Sequence, residues 1–211
     1  MKPKVKICGL TRPGDAALAV EQGAWALGVI FAPESPRCLD LARAAEVLAP
    51  APEAVERVGV FVNASVNEIE AAVAGCGLTV VQLHGEEDNG LCLQVGRRTG
   101  CAVIKALRVA GPGSLEHVVR FDTDFILLDT YRSGSRGGTG ETFDWELAAL
   151  LPAEVRSSRI ILSGGLTPGN LSEAITVVEP MAVDVSSGIE ATPGMKSREK
   201  MELLFKAIGR D

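Results

Sequence analysis

Short apolar runs recur along the chain at residues 5–8, 27–31, 58–62, 80–83, 103–107, 125–128, 160–162 and 182–185, each bounded by polar or glycine-bearing segments. Continuous apolar runs of that length predict strands buried on both faces. Between them, residues 15–22, 42–48, 66–73, 91–98 and 196–208 carry apolar side chains at helical spacing. Strand and helix therefore alternate. Parallel strands need a crossover, and crossover helices cover the sheet they connect, so this order predicts a parallel sheet wrapped in helices. Eight such units in 211 residues predict an α/β fold, a single (β/α)8 TIM barrel spanning residues 1–211. Periodicity alone leaves an open doubly wound sheet as the alternative.

Composition narrows the partners. The chain is 46% hydrophobic with a formal charge of −6, and its 21 Lys and Arg residues are scattered. Nucleic acid and anionic membranes are not the expected partners. A small anion remains compatible, because a few cations and main-chain N–H groups make a local positive pocket on an acidic protein. The five cysteines are odd in number and show no C-x-x-C spacing, which predicts free cytosolic thiols rather than a disulfide framework or zinc site. His84 and His117 form no H-x-x-x-H pair, so no metal is expected. The N-terminal residues lead straight into the first strand without a signal-peptide core, and no run reaches the roughly 18 apolar residues of a membrane span. A cytoplasmic location follows as the expectation. No repeat, low-complexity tract or long linker divides the chain.

The polar and glycine-rich clusters directly follow the strands, where barrel enzymes build their sites. Cys8 ends the first strand beside Gly9, a reactive thiol or, taken alone, a buried structural cysteine. Asp129 ends the sixth, a candidate acid or base, or a turn aspartate. Arg37 closes the proline-stiffened loop after the second strand and suits a carboxylate, with surface arginine as the ordinary reading. His84 ends the fourth strand as an orienting group or a rim hydrogen bonder. Gly164 and Gly165 after the seventh strand, and Ser186, Ser187 and Gly188 after the eighth, form the pair of loops that often cradles phosphate in a barrel. Thr167-Pro168 also reads as a helix N-cap followed by the first helical residue. Gly137, Gly138, Thr139 and Gly140 lack both the P-loop ending and the dinucleotide pattern, so they suggest a mobile lid and no nucleotide cofactor.

Taken together, KICGLT, SPR, VQLHG, LLDT followed by GGTGETFDW, LSGGLTPGN, and VDVSSGIE with PGMK behind it resemble the phosphoribosylanthranilate isomerase family from Lys6 to Lys196. The resemblance implies a cofactor-free (β/α)8 barrel of tryptophan biosynthesis. It makes Cys8 the general base, Asp129 the general acid, Arg37 the receiver of the anthranilate carboxylate, and the loops at Gly164-Gly165 and Ser186-Ser187-Gly188 the phosphate site. His84 and Asp184 occupy motif positions as orienting groups. The implied chemistry is an Amadori rearrangement needing a neutral carboxylic acid and a thiolate, although free Asp and Cys titrate near about 3.9 and 8.5. A depressed thiol pKa would require positive potential, from Lys6 or backbone dipoles.

Other readings separate on residues. The related aminoaldose isomerase of histidine biosynthesis uses carboxylates at both catalytic strands, against Cys8 here. Indoleglycerol-phosphate synthase needs a lysine-based constellation and an added N-terminal segment. A non-catalytic phosphate sensor has no need for an acid and a base facing one pocket. Monomer and homodimer both remain open.

Overall fold

The apolar runs are strands, and they close. The structure is a computed structural model describing residues 2–130 and 144–209. In it β1 (Lys4–Ile7), β2 (Ala26–Ile30), β3 (Glu56–Phe61), β4 (Val80–Leu83), β5 (Ala102–Val109), β6 (Phe125–Thr130), β7 (Ile160–Leu162) and β8 (Ala182–Val185) pair in parallel in chain order. β8 returns to β1, with Lys4 opposite Ala182 and Ile7 opposite Val185, which excludes the open sheet.

Around the barrel run α1 (Pro13–Glu21), α2 (Leu41–Leu48), α3 (Val66–Cys76), α4 (Asn89–Thr99), a 3₁₀ segment (Pro112–Arg120), α5 (Trp145–Ala149), α6 (Ala153–Arg159), α7 (Leu171–Val178) and α8 (Arg198–Ala207). Local chemistry sets where they begin. Ser65 and Glu68 form a reciprocal capping box on α3, and the side chains of Asp40, Asp88 and Ser197 accept from main-chain N–H groups of α2, α4 and α8. Among the described residues no helix is long and apolar enough to cross a membrane.

Two helix expectations need correction. Residue 196 does not start the last helix, because Gly194 (φ 84) turns the chain into a hairpin of β9 (Glu190–Thr192) and β10 (Met195–Lys196), and Ser197 then caps α8. Thr167 is not the cap of α7. The Thr167 N–H donates to the Asn170 side chain, whose amide donates to the Gly165 carbonyl, and this turn delays the helix to Leu171.

Side chains alternate along each strand, so one set packs outward against the helices and the other fills the barrel. The inner set is small and aliphatic: Ala26, Val58, Val80, Ile104, Ala106, Leu127, Ile161 and Ala182. Trp25 and Phe125, edge to face at 5.8 Å, pack against it, and Lys4 lies over the Trp25 ring.

One charged pair is buried with the outer layer. The Lys105 ammonium donates to Glu87 at 2.7 Å and to the Gly85 carbonyl at 2.8 Å, while Glu87 also accepts from the N–H groups of Asn63 and Gly85. Burial pushes the Glu87 carboxyl up, but Lys105 and then main-chain N–H groups, that of Asn63 among them, outweigh it and hold its pKa below the ordinary value. Because the folded value is depressed, its stabilisation is present above the unfolded pKa, about 4.3, and is lost as pH falls through the folded value. Glu87→Gln leaves a buried ammonium without its counter-charge, and we expect a loss of about 3–5 kcal/mol in urea unfolding at neutral pH. That difference shrinks in acid. A loss below about 1 kcal/mol would mean the pair is solvated in solution.

Candidate active site

The same alternation carries each inner position from the apolar layer to the barrel mouth two residues later. Val80 leads to Gln82 and then His84, Leu127 to Asp129, Ile161 to Ser163, and Ala182 to Asp184. A cavity of about 640 Å³ opens there, at the C-terminal ends of the strands. Cys8, Arg37, His84, Asp129 and Asp184 line it, as do Gly164, Gly165, Ser186, Ser187 and Gly188. Gly137, Gly138, Thr139 and Gly140 lie outside the described residues.

Cys8 follows β1 and is 5% exposed. Beside it lies Lys6, wholly buried, whose ammonium donates to Asp184 at 2.9 Å. Gly28 makes room for both groups: a methyl there would stand 3.0 Å from Cys8 Sγ and 3.2 Å from Lys6 Nζ. Burial pulls the Lys6 ammonium down, but Asp184 and Cys8 outweigh burial and keep its pKa above the ordinary lysine value. The Cys8 thiol is pushed up by burial and then by Asp184, against the opposing pull of Lys6 and Lys196. Positive groups are therefore present where a thiolate needs them, yet desolvation wins and the thiol stays protonated at neutral pH.

A hydrogen-bonded chain leads to Asp129. The Gln82 amide nitrogen stands 3.0 Å from His84 Nδ1, and His84 Nε2 stands 3.2 Å from Asp129 Oδ2. An amide N–H can only donate, so Nδ1 accepts and Nε2–H faces Asp129 Oδ2. Asp129 Oδ1 accepts from the Thr130 N–H at 2.9 Å. Gln82 itself is buried, and its Oε1 has no hydrogen-bond partner among the described residues.

Arg37 lies across the mouth from this chain, tied to Glu190 through Nε at 2.8 Å and Nη2 at 2.6 Å. The Lys196 ammonium joins the same carboxylate at 3.0 Å and also donates to the carbonyls of Cys8 and Ser186. Burial raises the Glu190 carboxyl, but Arg37 and Lys196 bring its pKa below the ordinary value.

The two loops after β7 and β8 pack directly on one another. A side chain at Gly188 would collide with the Leu166 carbonyl, and one at Gly164, which has φ 89, with Thr130. Glycine there lets two main chains approach a common ligand closely. Among the described residues no protein acceptor takes the N–H of Gly164 or Gly165, so both remain available to an anion. No group of three His, Cys, Asp or Glu side chains among the described residues is arranged to hold a metal ion.

Sequence reasoning passed over Gln82, Glu190 and Lys196. The inward alternation that singles out His84 also points to Gln82, two residues earlier. Glu190 and Lys196 stand in the VDVSSGIE and PGMK segments and bond each other across the β9–β10 turn, but their contacts with Arg37 and the Cys8 carbonyl join distant parts of the chain.

Comparison with known proteins bears on the same site. The profile of N-(5′phosphoribosyl)anthranilate (PRA) isomerase matches residues 5–207. An N-(5′-phosphoribosyl)anthranilate isomerase of Geobacter sp. (strain M21) is 48% identical over 198 residues, 94% of each chain. The crystal structure of a phosphoribosyl anthranilate isomerase from Thermus thermophilus superposes with a TM-score of 0.87 at 38% identity, covering 98% of both chains. Another such isomerase was solved in complex with reduced 1-(o-carboxyphenylamino)-1-deoxyribulose 5-phosphate, with a TM-score of 0.83, 39% identity and 98% of both chains covered.

Proposed function

The chain belongs to the N-(5′-phosphoribosyl)anthranilate isomerase family and is an isomerase of tryptophan biosynthesis, and we propose that it works with Asp129 as general acid and Cys8 as general base. The observation that carries these roles is the placement of both groups on one cavity, between a main-chain anion cradle and an anchored guanidinium. The aminoaldose phosphate is held at its two anionic ends. Its phosphate meets the N–H groups of the loops at Gly164-Gly165 and Ser186-Ser187-Gly188, and its anthranilate carboxylate meets Arg37.

Asp129 gives its proton to the furanose ring oxygen as the C1′–O bond breaks, and the anilino nitrogen lone pair forms C1′=N. The product of this step is a cationic Schiff base. Negative charge develops on Asp129 meanwhile, where His84 Nε2–H and the Thr130 N–H already point. The base is the fraction of enzyme whose Cys8 thiol has already released its proton to solvent, and the new cation near Cys8 favours that thiolate against desolvation. The thiolate removes the C2′ proton, the C–H electrons form C1′=C2′, and the C=N electrons return to nitrogen. Proton transfer from the 2′-hydroxyl of this enolamine, with protonation at C1′, gives the aminoketose.

Residues 1–211 act in this reading as one catalytic domain in the cytoplasm, without cofactor or metal, on a small phosphorylated substrate. Turnover is followed as loss of the substrate's fluorescence on mixing purified protein with freshly generated phosphoribosylanthranilate. Arg37→Ala should raise KM about tenfold or more while changing kcat much less, since it removes binding common to ground and transition states. An unchanged KM would remove Arg37 from the carboxylate site.

A further inference from the structure

Arg37 meets a carboxylate of the protein before any substrate arrives. Its stem crosses directly over Gly9, whose φ of 68 and missing side chain clear the path; a methyl there would strike Arg37 Cδ and crowd Ser186 Oγ. The head is then fixed by two short parallel bonds to Glu190, both groups being less than a tenth exposed. A guanidinium has five N–H groups, and Glu190 takes the Nε–H and one Nη2–H along its side edge. The end edge, formed by Nη1 and the second Nη2–H, keeps the parallel pair that fits a carboxylate fork to fork. Glu190 is held in turn by the Lys196 ammonium and, at 3.3 Å, by the Gly194 N–H. Lys196 also binds the carbonyl of Cys8 at 2.7 Å and that of Ser186 at 3.0 Å, tying the carboxylate-binding end to the base and to the phosphate loop. Two cations share one protein carboxylate, so the cluster keeps one net positive charge for an incoming anion.

We propose that Glu190, clamped by Lys196, is a positioning residue that sets this enzyme's selectivity for a carboxylate-bearing aromatic amine by fixing which edge of Arg37 faces the substrate. The proposal rests on Arg37 receiving that carboxylate. It is tested by steady-state kinetics with phosphoribosylanthranilate on Glu190→Gln, Arg37→Ala and the double variant, with thermal unfolding of each.

Glu190→Gln should raise KM about tenfold with kcat within about threefold of the parent. In the Arg37→Ala background it should add nothing further, because a residue acting through Arg37 has no effect once Arg37 is gone. Should Glu190→Gln unfold, the charge-balanced Glu190→Gln/Lys196→Met pair replaces it in the same cycle. An unchanged KM for Glu190→Gln beside a raised KM for Arg37→Ala overturns the positioning role and leaves the carboxylate reading standing. Additive effects in the double variant assign Glu190 a purely structural part and also overturn it. An unchanged KM for Arg37→Ala removes the premise and the proposal together.

Discussion

Cys8→Ala lowers kcat by about 10²- to 10⁴-fold while KM changes little, because the variant binds both anionic ends of the substrate but has no base for the C2′ proton. The thiol is buried beside Lys6 and Asp184, and its loss leaves only a small void above Gly28. The fold should therefore survive, with thermal unfolding close to the parent. Cys8→Ser should be nearly as inactive, since a hydroxyl of similar size ionises far less readily than a thiol. The pH profile supplies an independent check. Burial raises the thiol pKa in the free enzyme, so the base form gains population as pH rises, and kcat/KM should climb through the alkaline range. Alkylation of Cys8 by iodoacetamide should accelerate along the same limb and be blocked by substrate. A Cys8→Ala enzyme with near-parental kcat would transfer the base role to another group at the mouth.

Asp129→Asn is the second large effect, again about 10²- to 10⁴-fold in kcat. The amide is isosteric and keeps an acceptor for the His84 Nε2–H or the Thr130 N–H, but it has no acidic proton for the ring oxygen. Binding should stay near normal, as the phosphate loops and Arg37 are untouched. The step at fault is identifiable: an analogue already ring-opened to the Schiff base bypasses Asp129, and the variant should process it far closer to the parental rate. Full activity of Asp129→Asn on the cyclic substrate would end the acid assignment.

The fold was legible because a barrel strand reports itself locally. Residues 80–83, 160–162 and 182–185 are strands with the bounds their apolar runs predict. The errors fell where a few turn-forming residues override helical spacing: Gly194 and Ser197 ahead of α8, and Asn170 ahead of α7. Closure was not local. Periodicity allowed an open sheet as well, and only the hydrogen bonds of β8 to β1 decided it.

Cys8, His84, Asp129 and Asp184 were legible for the same reason. A polar residue at an inward position at or just past the C-terminal end of a strand must face the mouth, and period-two alternation is a property of the sequence. Their electrostatic state was not. Lys6 is 178 residues from Asp184, and Arg37 is 153 from Glu190, so no spacing pattern announces either pair. The sequence by itself determined which groups reach the end of the barrel, because alternation and strand ends are set by neighbouring residues. Tertiary structure alone decided which charge meets which, and that the Cys8 thiol is pushed up rather than down by its surroundings, because desolvation and Coulomb terms depend on distances that exist only after the ring has closed.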